Sequence, residues 1–141
     1  MNLLDTNIIS EIMRVKPSPL VVDWLNNQDS HSIFVSTVTI GEIEYGLQIL
    51  PDGKKQINLR RKFERFITQA FSYRVLDFDS ASAKLYGTIM SDRRNSGQPT
   101  SFPDGQIAAI ARSNKMRIVT RNTKDFKSCG IEIVDPFKDH S

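Results

Sequence analysis

Apolar positions along the chain fall into short runs separated by stretches of helical period. Asn2–Leu4 reads as a first strand. Ile8, Ile9, Ile12 and Met13 follow at helical spacing, which predicts a helix from about Thr6 to Arg14. Pro17 and Pro19 end it and start a second helix, with Leu20, Val21, Trp24 and Leu25 on its apolar face. Ser32–Ser36 (SIFVS) is strand-like, and a helix from about Thr39 to Leu50 carries Ile40, Ile43, Leu47 and Leu50 along one side. Pro51-Asp52-Gly53 is a turn. Ile57, Leu59, Phe63, Phe66, Ile67 and Phe71 then mark one long amphipathic helix. Arg74–Leu76 is a candidate strand, and a helix from Ser80 to about Asn95 has Ala81, Leu85, Ile89 and Met90 as its apolar positions. Ser96–Ser101 (SGQPTS) is a loop. Pro103 begins a helix with Ile107, Ala108, Ile110 and Ala111 in its core, and Arg117–Thr120 and Ile131–Val134 close the chain as strands.

Short apolar strands alternating with helices predict an α/β sandwich with a mostly parallel central sheet and helices on both faces. No internal repeat, low-complexity tract or long linker divides the sequence, so residues 1–141 are expected to form one domain. In such sheets ligands collect beyond the carboxyl ends of the strands, which directs attention to the acids found there.

With 39% apolar and 25% charged residues, the composition is that of a globular protein. No apolar run approaches the ~20 residues that cross a membrane, and the N-terminus lacks the zones of a secretory signal. The only cysteine, Cys129, has no intramolecular partner, which fits a reducing cytosol and a cytoplasmic location. The net charge of +3 permits nucleic-acid binding without requiring it. Basic residues concentrate in Lys54, Lys55, Arg60, Arg61, Lys62, Arg65 and Arg74, against the single acid Glu64. Such a run is either a solvated helix face or a flank that meets phosphates.

Asp5 follows Leu3-Leu4 and can cap the next helix. Glu42 closes a capping box that begins at Thr39, soon after the SIFVS strand. Asp104 lies in a similar Ser101-Phe102-Pro103-Asp104 pattern, yet shares the i, i+3, i+4, i+7 face of Ile107, Ala108 and Ala111. A carboxylate on a core face needs a cation, an Arg or backbone amides beside it. Asn122 and Asp125 follow the RIVT strand, where Asn122 can cap the turn Thr123–Phe126 or offer its amide oxygen to a metal. Each acid has a plain capping explanation, but together they crowd one sheet edge and would repel one another without a cation. Oxygen donors with no Cys or His cluster favour Mg²⁺ or Mn²⁺ over zinc. His31 and His140 lie in a loop and at the tail, and neither looks catalytic. No GxGxxG, Walker, GxSxG or CxxC motif supports nucleotide-cofactor or covalent-nucleophile chemistry. From the residues alone, capping and metal binding both remain open.

LLDTNIISEI, TIGEIEYGL and PDGQIAAIA followed by IVTRNTKDF resemble the PIN-domain ribonucleases, in particular the VapC-type toxins and their FitB-like branch. The resemblance spans nearly the whole chain and implies a PIN-like three-layer sandwich. It implies a Mg²⁺- or Mn²⁺-dependent endoribonuclease with its acids at Asp5, Glu42 and Asp104. The fourth position, often Asp in the family, is Asn122 here, which puts full occupancy of a second metal site in doubt. Asp125 is a possible compensating acid, Thr6 a hydroxyl that orients a ligand or water, and Arg121 a phosphate contact or a surface residue. The family also implies RNA as substrate, a homodimer, and a cognate antitoxin protein in a heterotetramer or larger assembly. Ile12, Met13 and Trp24 are then either core or part of the antitoxin surface. Two other readings compete: a non-catalytic RNA- or protein-binding module on the same fold, favoured by Asn122, and a metal-dependent phosphohydrolase of small molecules.

Overall fold

The computed structural model describes residues 1–72 and 74–138; His140 lies outside them. Five strands, β1 (Asn2–Leu4), β2 (Ile33–Ser36), β3 (Val75–Leu76), β4 (Arg117–Val119) and β5 (Ile133–Val134), form one sheet in the order β3-β2-β1-β4-β5. All pairings are parallel, with Asn2 opposite both Ile33 and Arg117. The central strand β1 is buried along its whole length, as a strand covered on both faces must be.

The two-residue period of the strands sorts their side chains between two cores. Leu4, Val35 and Val119 face one layer, with Ile8, Ile9, Val21, Trp24 and Phe63. Leu3 and Ile118 face the other, with Ile89, Ile107, Ile110 and Phe126. The first layer is built from α1 (Thr6–Ile12), α2 (Pro19–Asn26), α3 (Thr37–Gln48) and α4 (Lys54–Arg65). The second is built from α5 (Ser80–Asn95) and α6 (Phe102–Ser113). This is the three-layer α/β sandwich expected from the alternation of elements. Met13 and Trp24 belong to the core, and Ile12 packs partly buried against it.

Several boundaries depart from the sequence pattern for local reasons. Helix α1 ends at Ile12 rather than Arg14. Beyond it the chain turns so that the Glu11 carboxylate accepts the Ser18 amide at 2.9 Å and two bonds from Arg14 at 3.2 Å. Helix α3 begins two residues earlier than its apolar stripe suggested, because Ser36, not Thr39, is the cap; its hydroxyl accepts the Thr39 amide at 3.1 Å. The Thr39–Glu42 capping box is therefore not formed, and Glu42 is free for another role. The long basic helix stops at Arg65 and widens into a π-helical turn over Phe66–Ala70. Helices α5 and α6 touch at Gly105, where an added Cβ would collide with the Met90 sulfur and press on Tyr86. Among the described residues, no helix is long and apolar enough to cross a membrane.

Candidate active site

The strand order puts β1 between β2 and β4, so the chain diverges to both sides beyond Leu4. This topological switch point opens a crevice at the carboxyl edge of the sheet. A cavity of about 370 Å³ lies there, lined by Asp5, Thr6, Asn7, Ser10, Glu11, Glu42, Asp104 and Asn122.

Asp5 leaves the end of β1 with only 3% of its surface exposed. One carboxylate oxygen accepts the Thr6 amide at 2.8 Å, which caps α1. The other accepts the Thr120 hydroxyl at 2.8 Å and the Asn7 amide nitrogen at 3.1 Å. Burial raises its pKa to about 6; the bonds from Thr120 and Thr6 oppose the shift, and the charges of Asp104 and Glu42 add to it. Asp5 is thus both the helix cap and a buried acid of the cavity.

Glu42 projects from α3 and accepts the Thr6 hydroxyl at 2.6 Å. Because the single proton of Thr6 goes to Glu42, the Thr39 hydroxyl at 3.0 Å must donate to Thr6, and Ser36 Oγ donates to Thr39 at 3.4 Å. A one-way chain of hydroxyls therefore runs from the buried end of β2 to Glu42.

Asp104 sits in the first turn of α6, with its backbone amide capped by Ser101 Oγ at 3.3 Å. It is half-buried, at the rim of the core stripe rather than within it. Burial raises its pKa first, Ser101 opposes, and Asp125 and Glu42 raise it further by charge.

Asn122 follows β4. Its backbone N–H donates to Thr120 Oγ1 at 3.1 Å, and its side chain does not cap the 3₁₀ turn Thr123–Phe126, so the capping expectation fails. Asn122 lines the cavity. Asp125 is close enough to raise Asp104 by charge but does not line the cavity. The Arg121 guanidinium stacks 4.6 Å over the Phe137 ring, and its backbone N–H donates to Asn7 Oδ1, which makes it a supporting residue. His31 is exposed and pairs with Asp29, away from the cavity.

Two participants escaped the sequence reading. Thr120 was legible only as the end of the RIVT strand, yet its buried hydroxyl joins Asp5, Asn7 and Asn122. Asn7 bridges Asp5, Thr120 and Arg121. The one available signal was a polar residue ending each apolar strand.

The donor chemistry fits a hard divalent cation: carboxylates at Asp5 and Asp104 whose pKa is raised first by burial and then by neighbouring acidic charge, with Asn122 beside them. Among the described residues, no three His, Cys, Asp or Glu side chains converge as a closed ligand set.

A larger apolar groove of about 640 Å³ runs on from the cavity, sharing Thr6, Ser10 and Glu42 and continuing over Met13, Leu47 and Leu59. On the basic helix beside it, Lys62 donates to the carbonyls of Met13 and Arg14 at 2.9 and 3.3 Å, and Arg60 makes two bonds to Glu44 at 3.0 and 2.9 Å. Arg74 holds the carbonyls of Ile33 and Ala70. The exposed cations of this helix are Lys54, Lys55, Arg61 and Arg65.

The PIN-domain family profile matches residues 3–131. The chain is 32% identical over 138 residues to the VapC ribonuclease Y4jK of Sinorhizobium fredii, covering 98% of this chain and 99% of that protein. It is 34% identical over 139 residues to the toxin FitB of Neisseria gonorrhoeae, covering 99% and 100%. The structure of FitAB bound to an IR36 DNA fragment superposes with a TM-score of 0.90 at 34% identity over 100% of both chains.

Proposed function

Because the chain belongs to the PIN-domain family of VapC- and FitB-type toxins, we propose that it is a divalent-metal-dependent endoribonuclease, the toxin of a toxin–antitoxin pair. RNA phosphodiesters are hydrolysed at the cavity between Asp5, Glu42 and Asp104, and the chain acts as one cytoplasmic domain over residues 1–141. The observation that carries this reading is the buried Asp5, with its pKa pushed up to about 6, sharing a cavity at the sheet's switch point with Glu42 and Asp104.

Asp5 and Asp104 would hold a Mg²⁺ or Mn²⁺ ion, with Asn122 contributing a neutral oxygen. When bound, such an ion neutralises phosphate charge and makes water more acidic. The protein's own part is orientation. Thr120, Asn7 and the Thr6 amide fix both oxygens of Asp5. Thr6 fixes one oxygen of Glu42 and leaves the other to accept the proton of an attacking water. Because Asn122 adds no negative charge, these residues would hold one ion more firmly than a second. The exposed Lys54, Lys55, Arg61 and Arg65 flank the groove and meet the RNA backbone; Arg60 and Lys62, committed to Glu44 and to carbonyls, do not.

The antitoxin occupies the apolar groove that opens from the cavity, which explains why so large an apolar surface adjoins an acidic site. The active unit is a homodimer, joined by antitoxin into a heterotetramer or larger assembly.

Asn122 alone favours the alternative of a non-catalytic binding module. Titration with Mn²⁺ separates the two, since a ligand that binds only the folded state raises the melting temperature. The catalytic reading predicts a saturable rise that the double variant Asp5→Asn/Asp104→Asn loses. A wild-type protein indifferent to Mn²⁺ points to the module.

A further inference from the structure

Arg93 is an unusual residue for the place it holds. It lies in the last turn of α5 with 4% of its surface exposed, and it takes part in no ion pair among the described residues. A buried guanidinium without a carboxylate is costly unless hydrogen bonds to other acceptors offset its desolvation. Its Nη1 donates to the carbonyl of Lys127 at 2.8 Å, the carbonyl of Lys124 at 3.4 Å and Gln98 Oε1 at 3.4 Å, while its Nε has no partner. Its own carbonyl accepts the Gln98 amide at 2.9 Å and the Ser96 hydroxyl at 3.0 Å.

These bonds tie together two segments that are distant in sequence. One is the loop 96–101, which delivers Asp104 at the start of α6. The other is the 3₁₀ turn Thr123–Phe126, which follows Asn122 and contains Asp125. A second tie runs the same way, from Thr100 Oγ1 to the Asp125 carbonyl at 3.5 Å. We propose that Arg93 is a positioning residue: a buried cationic clasp that sets the distance between Asp104 and the Asn122–Asp125 turn, and so the shape of the site's far wall. The two N–H groups of Nη1 are shared among its three acceptors, so one nitrogen at the end of a long side chain bridges the loop and the turn. With Asn where a fourth acid would add charge, the exact placement of the Asn122 oxygen matters more, and the clasp supplies it.

The activity part of the proposal rests on the ribonuclease reading above; the structural part does not. The test uses the full chain as wild type, Arg93→Lys, Arg93→Met and Thr100→Val. Three quantities are read: amide hydrogen exchange, the Mn²⁺ concentration that half-saturates the thermal shift, and kcat and KM on RNA. Arg93→Met is expected to speed exchange across residues 122–127 by about tenfold while the amides of β1 and β2 stay protected. It should raise the Mn²⁺ midpoint by roughly tenfold to hundredfold and lower kcat more than it changes KM. Arg93→Lys restores much of each, and Thr100→Val gives a smaller change at the same amides. Exchange that is unchanged at 122–127, or that rises equally everywhere, overturns the clasp, as does a Mn²⁺ midpoint that stays put. If Arg93→Met does not fold, Arg93→Lys and Thr100→Val decide on the same amides. A wild type that ignores Mn²⁺ and RNA defeats the ribonuclease reading, and the exchange data still judge the clasp.

Discussion

At the scale of the residue, Asp5 couples stability to pH in a direction opposite to that of a paired surface acid. Its pKa is raised from 3.8 to about 6, so between these values the folded state holds more protons than the unfolded one. Stability contributed by the protonated form is full below about pH 4 and is lost as the pH rises through about 6, to the extent of about 3 kcal/mol. Asp104, also raised, adds to the same slope. Denaturant unfolding of EDTA-treated protein between pH 4 and 7 should therefore show falling stability, and Asp5→Asn should flatten most of it; an unaltered slope in the variant contradicts the assignment. Thr120 gives a second test. Its bond to Asp5 is the strongest influence opposing the rise, so Thr120→Val should move the Asp5 titration upward, as read by carboxyl NMR of the metal-free protein. Asp5 and Asp104 were legible in the sequence because each stands at a helix start, and Glu42 was found through a capping-box pattern that the structure does not form. Thr120 was not, because a single polar residue at a strand end is weakly marked and its partner Asp5 is more than a hundred residues away in the chain. Asn7 was not, because a polar residue in a helix's first turn has a plain local explanation.

At the scale of the element, the helices show where apolar period suffices and where it does not. The stripe of α5 gave both of its ends, Ser80 and Asn95. That of α3 gave its face but not its start, because Ser36 at the end of β2 took the capping role that Thr39 also suited. The basic helix buries its stripe from Leu59 onward but leaves Ile57 exposed, and it changes its winding at Phe66, which periodicity alone does not reveal. Its charges also divide in a way no charge count shows. Lys62 is structural: Lys62→Met should cost about 1 kcal/mol through the lost bonds to the end of α1, measured by urea unfolding, with little effect on RNA affinity. The triple reversal of Lys54, Arg61 and Arg65 to Glu should do the reverse. Folding is preserved, while RNA affinity falls and its salt dependence weakens by roughly 2 in the log–log slope, as expected for about three phosphate contacts to a single strand. Equal salt slopes for both proteins would remove this helix from the RNA path. Where α5 meets α6, Gly105→Ala should destabilise by about 1–3 kcal/mol, toward the lower figure because the Met90 thioether can give way.

At the scale of the whole molecule, the all-parallel order β3-β2-β1-β4-β5 produces the site by placing β1 where the chain turns both ways. Alternating elements made the layers legible in advance. The strand order was not legible from the periods, since those say which face a residue takes but not which strand is its neighbour. That order brings Asp5, Glu42 and Asp104 to one cavity and opens the cavity onto an apolar groove, so catalysis and restraint by a partner would share a doorway. The measurement that tests the central claim most directly is cleavage of structured and single-stranded RNA by the purified protein with Mg²⁺, with Mn²⁺ and with EDTA. The comparison is an Asp5→Asn/Asp104→Asn variant whose folding has been checked. The account predicts cutting that requires the metal and that the variant loses. Metal-independent cutting, or cutting that survives in the variant, would contradict it.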